Sequence, residues 1–297
     1  MRNPFLLLFI AAASLAQTPQ PNFTPPAGNR YCVVNPDGET IIPNGRIIRP
    51  AGKTVRIAPH PYGLALSPDG RTAITANSGT EPFSISILGN IFSGNPTVHQ
   101  IPEGAKNDED LLSAVFMGLA VSPDNQTVYV AGGQTNKIFL FNLKTRKKIG
   151  AIDCAKTFDG TDYKDGYIGD LVLSRDGRTL YAVDQIGFRM LVADTQTKQL
   201  IANVPVGRYP FGIALSPDEK TVYVANVGMF QYSYIKGADR KRIKETAMKK
   251  PAFGFNTKEM REGIQSDTLN VPGLGDPNAP ESFSVWAIDA ATRQVTA

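Results

Sequence analysis

A repeat of about fifteen residues, present four times, constrains the fold of this chain more than any other feature. Each copy consists of an apolar strand, a turn of the Ser-Pro-Asp-Gly type, and a second strand rich in β-branched and aromatic residues. The copies occupy residues 63–77, 118–132, 169–184 and 212–226. Their shared serines lie roughly 42 to 55 residues apart, which is the length of a four-stranded antiparallel unit with its loops. These serines are Ser67, Ser122, Ser174 and Ser216.

Further strands follow each copy of the repeat. Third strands are expected at 83–88, 137–143, 188–194 and 283–289, and fourth strands at 147–152 and 199–204. The 27 glycines and 22 prolines have no collagen period and favour short elements joined by tight turns. The pattern predicts an all-β fold, a β-propeller built of four-stranded antiparallel blades. A β-sandwich with coincidental turns is disfavoured, because a pattern with so few gaps recurs four times.

The repeats resemble those of the YVTN-repeat β-propellers. The likeness covers most of residues 57–297 and is clearest in GIALSPDEKTVYVAN (212–226) and SFSVWAID (282–289). Longer stretches, at 43–77, 226–230 and 271–286, look like the N-terminal propeller of exported bacterial proteins that carry an alkaline-phosphatase-like phosphoesterase domain. That resemblance implies a larger ring, commonly of seven blades, followed by a phosphoesterase domain that has no counterpart in this sequence.

Four to five blades can be counted, with residues 30–57 supplying strands of one partial blade. We therefore expect a propeller that is incomplete relative to a seven-bladed ring. The alternative is a complete small ring that closes by pairing the 30–34 region with the final strand. An open ring would leave backbone donors and acceptors unpaired at its edges.

The N-terminus has the pattern of a cleaved signal peptide over residues 1–16. Arg2 precedes an apolar stretch at 5–15, and small residues precede a cleavage point after Ala16. A proline-rich linker at 17–29 and a propeller domain at 30–297 are expected to follow, in a periplasmic or secreted protein with no transmembrane segment beyond the signal. Cys32 and Cys154 could pair in such a compartment or remain free thiols, and the sequence leaves both possibilities open.

Propeller geometry places the loops that precede each inner strand on the same face as the ends of the second strands, and binding residues are commonly found on such loops. The candidate ligand-binding residues on this face are His60, Tyr62, Asn77, Asp184, Arg208, Tyr209 and Asn226. Asn and Asp at strand ends more often cap turns, and the tyrosines could simply wedge between blades. The repeated serines are interpreted as turn residues rather than nucleophiles, because no G-x-S-x-G elbow accompanies them. No catalytic residue, metal site or cofactor is assigned.

A long basic insertion at 227–282 interrupts the last blade. Within it, residues 236–250 are interpreted either as a solvated basic lid or as a docking site for a protein or anionic partner. The net charge of +4 is too small to indicate nucleic acid as a partner, and because the segment lacks repeated aromatic residues between its cations, nucleic-acid binding is only a minor hypothesis. The candidate partner-binding residues are Lys236, Arg240, Lys241, Arg242, Lys244, Lys249 and Lys250.

The sequence predicts a non-catalytic, exported binding scaffold, ancillary to a phosphoesterase-type domain that is missing from this chain. The alternative from a different class is a hydrolase, either a lactonase-like propeller enzyme or part of a phosphoesterase. A propeller lactonase needs a divalent metal, for which Asp184, Asn77 and Asn226 could supply oxygen ligands. A third reading is an interaction module without a small ligand.

Overall fold

The computed structural model describes residues 24–35, 38–79, 81–104, 106, 108–158, 160–161, 163–231, 254, 256–265 and 270–297. The chain divides into two compact units, Met1–Arg56 and Ile57–Ala297. The predicted signal peptide lies outside the described residues, as do all seven candidate partner-binding cations. Among the described residues, no helix is both long and apolar enough to cross a membrane.

The first unit contains a small two-stranded sheet rather than the partial blade predicted for residues 30–57. Strand β1 (Thr40–Ile41) pairs with β2 (Ile47–Ile48), and Val33 forms a single bridge to Ile41. These strands are only two residues long because proline and glycine turns surround them. The compact unit that carries the four blades is Ile57–Ala297.

Four antiparallel sheets follow one another in the second unit, and each contains one copy of the repeat. We call them blades 1 to 4. Blade 1 consists of β3 (Pro61–Leu66), β4 (Thr72–Asn77), β5 (Ser84–Gly89) and β6 (Thr97–Ile101). Blade 2 consists of β7 (Leu119–Val121), β8 (Thr127–Ala131), β9 (Lys137–Asn142) and β10 (Lys148–Asp153).

Blade 3 consists of β11 (Ile168–Leu173), β12 (Thr179–Asp184), β13 (Arg189–Asp194) and β14 (Gln199–Pro205). Blade 4 has three paired strands in the described residues, β15 (Pro210–Leu215), β16 (Thr221–Asn226) and β19 (Ser284–Asp289). The predicted third and fourth strands are confirmed to within about a residue at each end. The all-β propeller architecture is therefore confirmed.

The side-chain hydrogen bonds of each repeat turn join residues that are close together in the chain. Ser67 Oγ donates to Asp69 Oδ1 at 2.6 Å and accepts the Thr72 N–H at 2.9 Å, while Asp69 Oδ1 also accepts the Arg71 N–H. The same bonds recur in the other three blades around Ser122, Ser174 and Ser216. The interpretation of these serines as turn residues is confirmed.

Each blade packs on the next through alternate residues of its strands. Val128 and Val130 of β8 face the core shared with blade 1, whereas Tyr129 and Ala131 face the core shared with blade 3. A third core joins blades 3 and 4 around Val183 and Val222. Because the side chains of a strand alternate between its two faces, one apolar strand can supply two cores.

In the described residues, two helices and one small hairpin lie between the strands of the blades. Helix α1 (Glu109–Leu112) precedes β7. The insertion of blade 4 includes α2 (Lys258–Glu262) and a hairpin of β17 (Gly263–Gln265) and β18 (Asn270–Pro272). Met260 and Val271 are buried, so this part of the insertion packs on protein rather than facing solvent.

Candidate functional site

The starts of the inner strands and the ends of the second strands lie on one face of the blades, which we call the loop face. The register of pairing shows this directly, with Pro61 opposite Asn77, Ile168 opposite Asp184, and Pro210 opposite Asn226. A side chain from the segment before any inner strand therefore lies near the end of the second strand of the same blade. The predicted site residues all belong to this face.

Five aromatic rings from the four blades meet on the loop face, and we call them the aromatic cluster. Its members are Tyr62, Phe116, Tyr167, Tyr209 and Phe211. Phe116 is central: its ring stacks on Tyr62 at 6.3 Å between centroids and meets Tyr167 and Phe211 edge-on at 5.2 and 6.2 Å. These separations are those of interacting aromatic pairs.

The cluster is open to solvent. Tyr62 is 63% exposed, and the other four rings are half-buried. Burial raises the pKa of the Tyr167 phenol, and the nearby Tyr209 phenol raises it further.

Three members of the cluster were not found by sequence reasoning. Phe116, Tyr167 and Phe211 each precede the first glycine of a repeat by one or two residues. Tyr62 and Tyr209 stand one and three residues before such a glycine. An aromatic residue within three positions before each repeat glycine was thus a signal that could have predicted the whole cluster.

Asp184, a predicted ligand-binding residue, is fully buried and bonded within the protein. Its Oδ1 accepts the N–H groups of Tyr167 at 2.8 Å, Gly187 at 3.0 Å and Ile186 at 3.3 Å. Its Oδ2 accepts from Arg189 Nε at 2.9 Å. This carboxylate therefore fixes two loop-face segments in blade 3.

Arg189 completes that arrangement from inside the blade. It is 0% exposed, and its remaining nitrogens donate to the carbonyls of Cys154 at 2.6 Å and Lys156 at 3.3 Å. The ring of Tyr163 stacks on the guanidinium, 3.5 Å from centroid to Cζ. A charge without access to water is stable only when paired and hydrogen-bonded in this way.

Cys154 is buried beside this pair, and Cys32 is exposed; both are free thiols. Burial raises the pKa of the Cys154 thiol strongly. The pairing of the two cysteines that the sequence left open is not present.

Arg208 anchors the insertion of blade 4. It is 3% exposed, and its Nη1 donates to the carbonyls of Asp276 at 2.5 Å and Met229 at 2.8 Å, and to Ser282 Oγ at 3.0 Å. Its Nη2 lies 3.9 Å from a carboxylate oxygen of Glu281. The guanidinium thus holds together both ends of the inserted segment.

Asn77 and Asn226 are also buried at the ends of their strands. Asn77 accepts from Thr75 Oγ1 at 2.9 Å and donates to Ser84 and Ser86 at 3.1 and 3.0 Å. Asn226 donates to Ser284 Oγ at 3.3 Å, while its Oδ1 is buried without a partner in the described residues. His60, by contrast, is exposed, with φ at 54°.

Two of the three side chains suggested as metal ligands are already bonded within the protein, and of the three only Asn226 has an oxygen without a partner among the described residues. Asp184 already accepts four hydrogen bonds from the protein, and Asn77 Oδ1 accepts one from Thr75. A hard cation needs several oxygens free to point at one centre. In the described part of the chain, no group of three or more His, Cys, Asp or Glu side chains could hold a metal ion.

Asp170 is a further loop-face residue that the sequence analysis did not single out as a site. It lies in the inner strand of blade 3 between Ile168 and Leu171, where the pairing register shifts. Its carboxylate accepts the N–H of Leu171 at 2.9 Å and that of Ile213, in blade 4, at 3.2 Å. Burial raises its pKa above the usual range, more than these two bonds lower it.

Comparisons with known proteins agree with the fold. A family model described as lactonase, 7-bladed beta-propeller, matches residues 118–231, which include blades 2 and 3 and the first two strands of blade 4. The chain thus has a β-propeller architecture of the kind that this family shares.

Among curated proteins, the chain is similar to the adipocyte plasma membrane-associated protein. The rat protein, from Rattus norvegicus, is 25% identical over 193 residues, which are 59% of this chain and 45% of the relative. The Danio rerio protein is 25% identical over 186 residues, 56% of this chain and 44% of the relative. The match therefore spans less than half the length of these relatives.

Solved structures with a similar chain path include two bacterial proteins. Hydrazine synthase from Kuenenia stuttgartiensis has a TM-score of 0.45 at 20% identity, covering 60% of this chain and 45% of that one. A protein from Lactobacillus plantarum has a TM-score of 0.46 at 19% identity, covering 63% of this chain and 56% of that one.

Proposed function

We propose that this chain is a non-catalytic propeller scaffold that binds a ligand on its loop face. The aromatic cluster is the observation that carries the proposal. It brings rings from all four blades to one partly exposed surface, where a rigid sheet framework holds them. The polar residues first considered as ligand contacts mostly serve the framework instead, since Asp184 and Arg208 are buried and bonded to it.

The family match favours a second candidate, a lactonase-like hydrolase. Such an enzyme would need an open metal position to polarise the lactone carbonyl or activate water. The four hydrogen bonds that the buried Asp184 carboxylate accepts from the protein argue against that position at the residues the sequence suggested. We therefore place the hydrolase second.

Two sequence-based predictions remain part of the proposal. One is that the basic residues 236–250 bind a protein or anionic partner, and the other is that the propeller is exported and ancillary to a phosphoesterase-type domain. Support for the first is the concentration of seven cations against two carboxylates. Support for the second is the resemblance to exported propeller proteins described above.

A thermal-shift screen of the full chain tests the proposal. The compounds are neutral oligosaccharides, polyanions, nucleotides and lactones, the last with and without Mn²⁺ or Ca²⁺ and with product analysis. The proteins are the wild type, the Tyr62→Ala/Tyr209→Ala double variant, and a variant with residues 236–250 replaced by Gly and Ser.

A bound class should raise the Tm of the wild type by about 2 °C or more and leave the double variant unchanged. Product analysis should show that the protein does not convert the bound compound. Metal-dependent lactone turnover would overturn the proposal in favour of the hydrolase. If the double variant binds every class as well as the wild type does, the loop face is not the binding site. If the variant with residues 236–250 replaced loses polyanion binding, the polyanion binds to the basic segment.

A further inference from the structure

We propose, resting on the function proposed above, that the aromatic cluster is a stacking site for neutral carbohydrate rings. A pyranose presents a face of C–H groups, which carry partial positive charge, and a rim of hydroxyl groups. The faces of aromatic rings are negative, so such a C–H face is attracted to them, and both surfaces are removed from water on contact.

The cluster stands apart from the packing of the propeller. None of its five rings belongs to the three cores that join the described blades. Tyr62 contributes most of its surface to solvent, although it stacks on Phe116. Rings that served packing alone would lie in those cores, because burying a large apolar side chain there stabilises the folded state by about 1.5–3 kcal/mol.

The backbone at the cluster is held in an unfavourable conformation. Tyr209 has φ at 50°, in the left-handed region that bulky residues rarely adopt. His60 occupies the equivalent position of blade 1, with φ at 54°. Strain of this kind persists where the surrounding structure imposes it. The conformation turns Tyr209 to stack on Phe211 at 6.5 Å.

Polar and charged groups around the rings favour an uncharged ligand. The tyrosine hydroxyl is both a donor and an acceptor of hydrogen bonds, which suits the hydroxyl groups of a sugar. Arg208, which precedes Tyr209 in the chain, and Asp170, in the strand after Tyr167, are already bonded to the main chain. Stacked nucleobases would bring phosphates, which need free Lys or Arg side chains.

Isothermal titration of the full chain with cellohexaose, maltohexaose and chitohexaose provides the test, with dT12 as the nucleic-acid comparison. Tyr62→Ala removes the most exposed ring of the cluster, and its exposure means that folding survives the change. Phe92→Ala is the matched control, because Phe92 is 84% exposed and follows β5 at the end remote from the loop face. Tyr209→Phe removes only a hydroxyl.

We expect at least one hexasaccharide to bind, Tyr62→Ala to weaken binding about tenfold, and Phe92→Ala to leave it unchanged. Tyr209→Phe should weaken binding by a smaller factor. Two results would overturn the inference: no hexasaccharide binds, or binding is the same in Tyr62→Ala as in Phe92→Ala.

The experiments can disprove the carbohydrate inference without disproving the proposed loop-face scaffold. If dT12, a polyanion or another class of the screen binds and depends on Tyr62 and Tyr209 while the hexasaccharides do not, the carbohydrate inference is wrong and the loop-face scaffold stands. If binding of every class is independent of these tyrosines, both are wrong.

Discussion

At the scale of single residues, the buried pair of Asp184 and Arg189 shows how a plausible ligand contact becomes a structural one. A carboxylate at the end of a strand on the loop face suits binding, and sequence reasoning proposed it for that purpose. In the folded chain the same carboxylate receives three main-chain N–H groups and one guanidinium. A buried charge is stable only with such a complement of partners, so these bonds give the carboxylate a structural role in blade 3.

Arg189→Met is expected to lower the free energy of unfolding by about 3–5 kcal/mol, because it leaves the charge of Asp184 buried without its counter-ion. Arg189→Lys should also destabilise, since an ammonium cannot bond Asp184 and two carbonyls in the planar geometry of a guanidinium. Urea denaturation measures both. Lys258→Ala, which breaks a pair 3.8 Å apart on the surface, is the control and should change stability by less than about 0.5 kcal/mol. A loss below about 1 kcal/mol in Arg189→Met would contradict the structural role.

At the scale of the element, each repeat turn is stabilised by partners within five residues of one another. The serine of the turn binds the aspartate two positions later and the first residue of the next strand. The turn also needs a left-handed residue at its fourth position, supplied by Gly70, Asn125, Gly177 and Glu219. These local requirements explain why the turns can be recognised without knowing the fold.

The turns predict an acid dependence of stability. Hydrogen bonds lower the pKa of Asp69 and Asp218, chiefly from the turn serine, and that of Asp176, chiefly from the Arg178 N–H. A pKa lowered in the folded state stabilises the protein above the unfolded value, near 3.9, and the contribution is lost as the pH falls through the folded pKa. Urea midpoints of the wild type should therefore fall between about pH 5 and 3.

In the triple variant Asp69→Asn/Asp176→Asn/Asp218→Asn, that decline should be shallower, since three of the titrating groups are gone. Glu109→Gln, an exposed carboxylate outside the turns, is the control and should keep the slope of the wild type. Equal slopes in the triple variant and the wild type would show that the turns do not carry the acid dependence.

At the scale of the whole molecule, the glycines that open each repeat let neighbouring inner strands approach closely. A Cβ on Gly63 would lie 1.9 Å from the carbonyl oxygen of Met117 in blade 2, and one on Gly118 would lie 2.7 Å from Cα of Asp170 in blade 3. At Gly212, in blade 4, the nearest described atom is Cβ of Ala225 at 4.0 Å. The same residue in the same repeat is therefore under different constraints in different blades.

Gly118→Ala is expected to lower the free energy of unfolding by about 3 kcal/mol, and Gly63→Ala by at least as much, because main-chain atoms must move to admit the methyl group. Gly212→Ala should change it by less than about 1 kcal/mol. Chemical denaturation of the three variants under one condition measures the difference. A large loss in Gly212→Ala would mean that another segment or molecule packs against this strand in solution.

The sequence by itself determined the blades, their order and their turns, because every interaction that defines them joins residues close in the chain or alternates with the period of a strand. Tertiary structure alone decided which residues form the site. Phe116 meets rings from three other blades, and Arg208 bonds a carbonyl 68 positions away. Contacts of that kind depend on how the blades stack. The burial of Asp184 and its bond to Arg189 have the same origin, because they follow from packing, which no local pattern records.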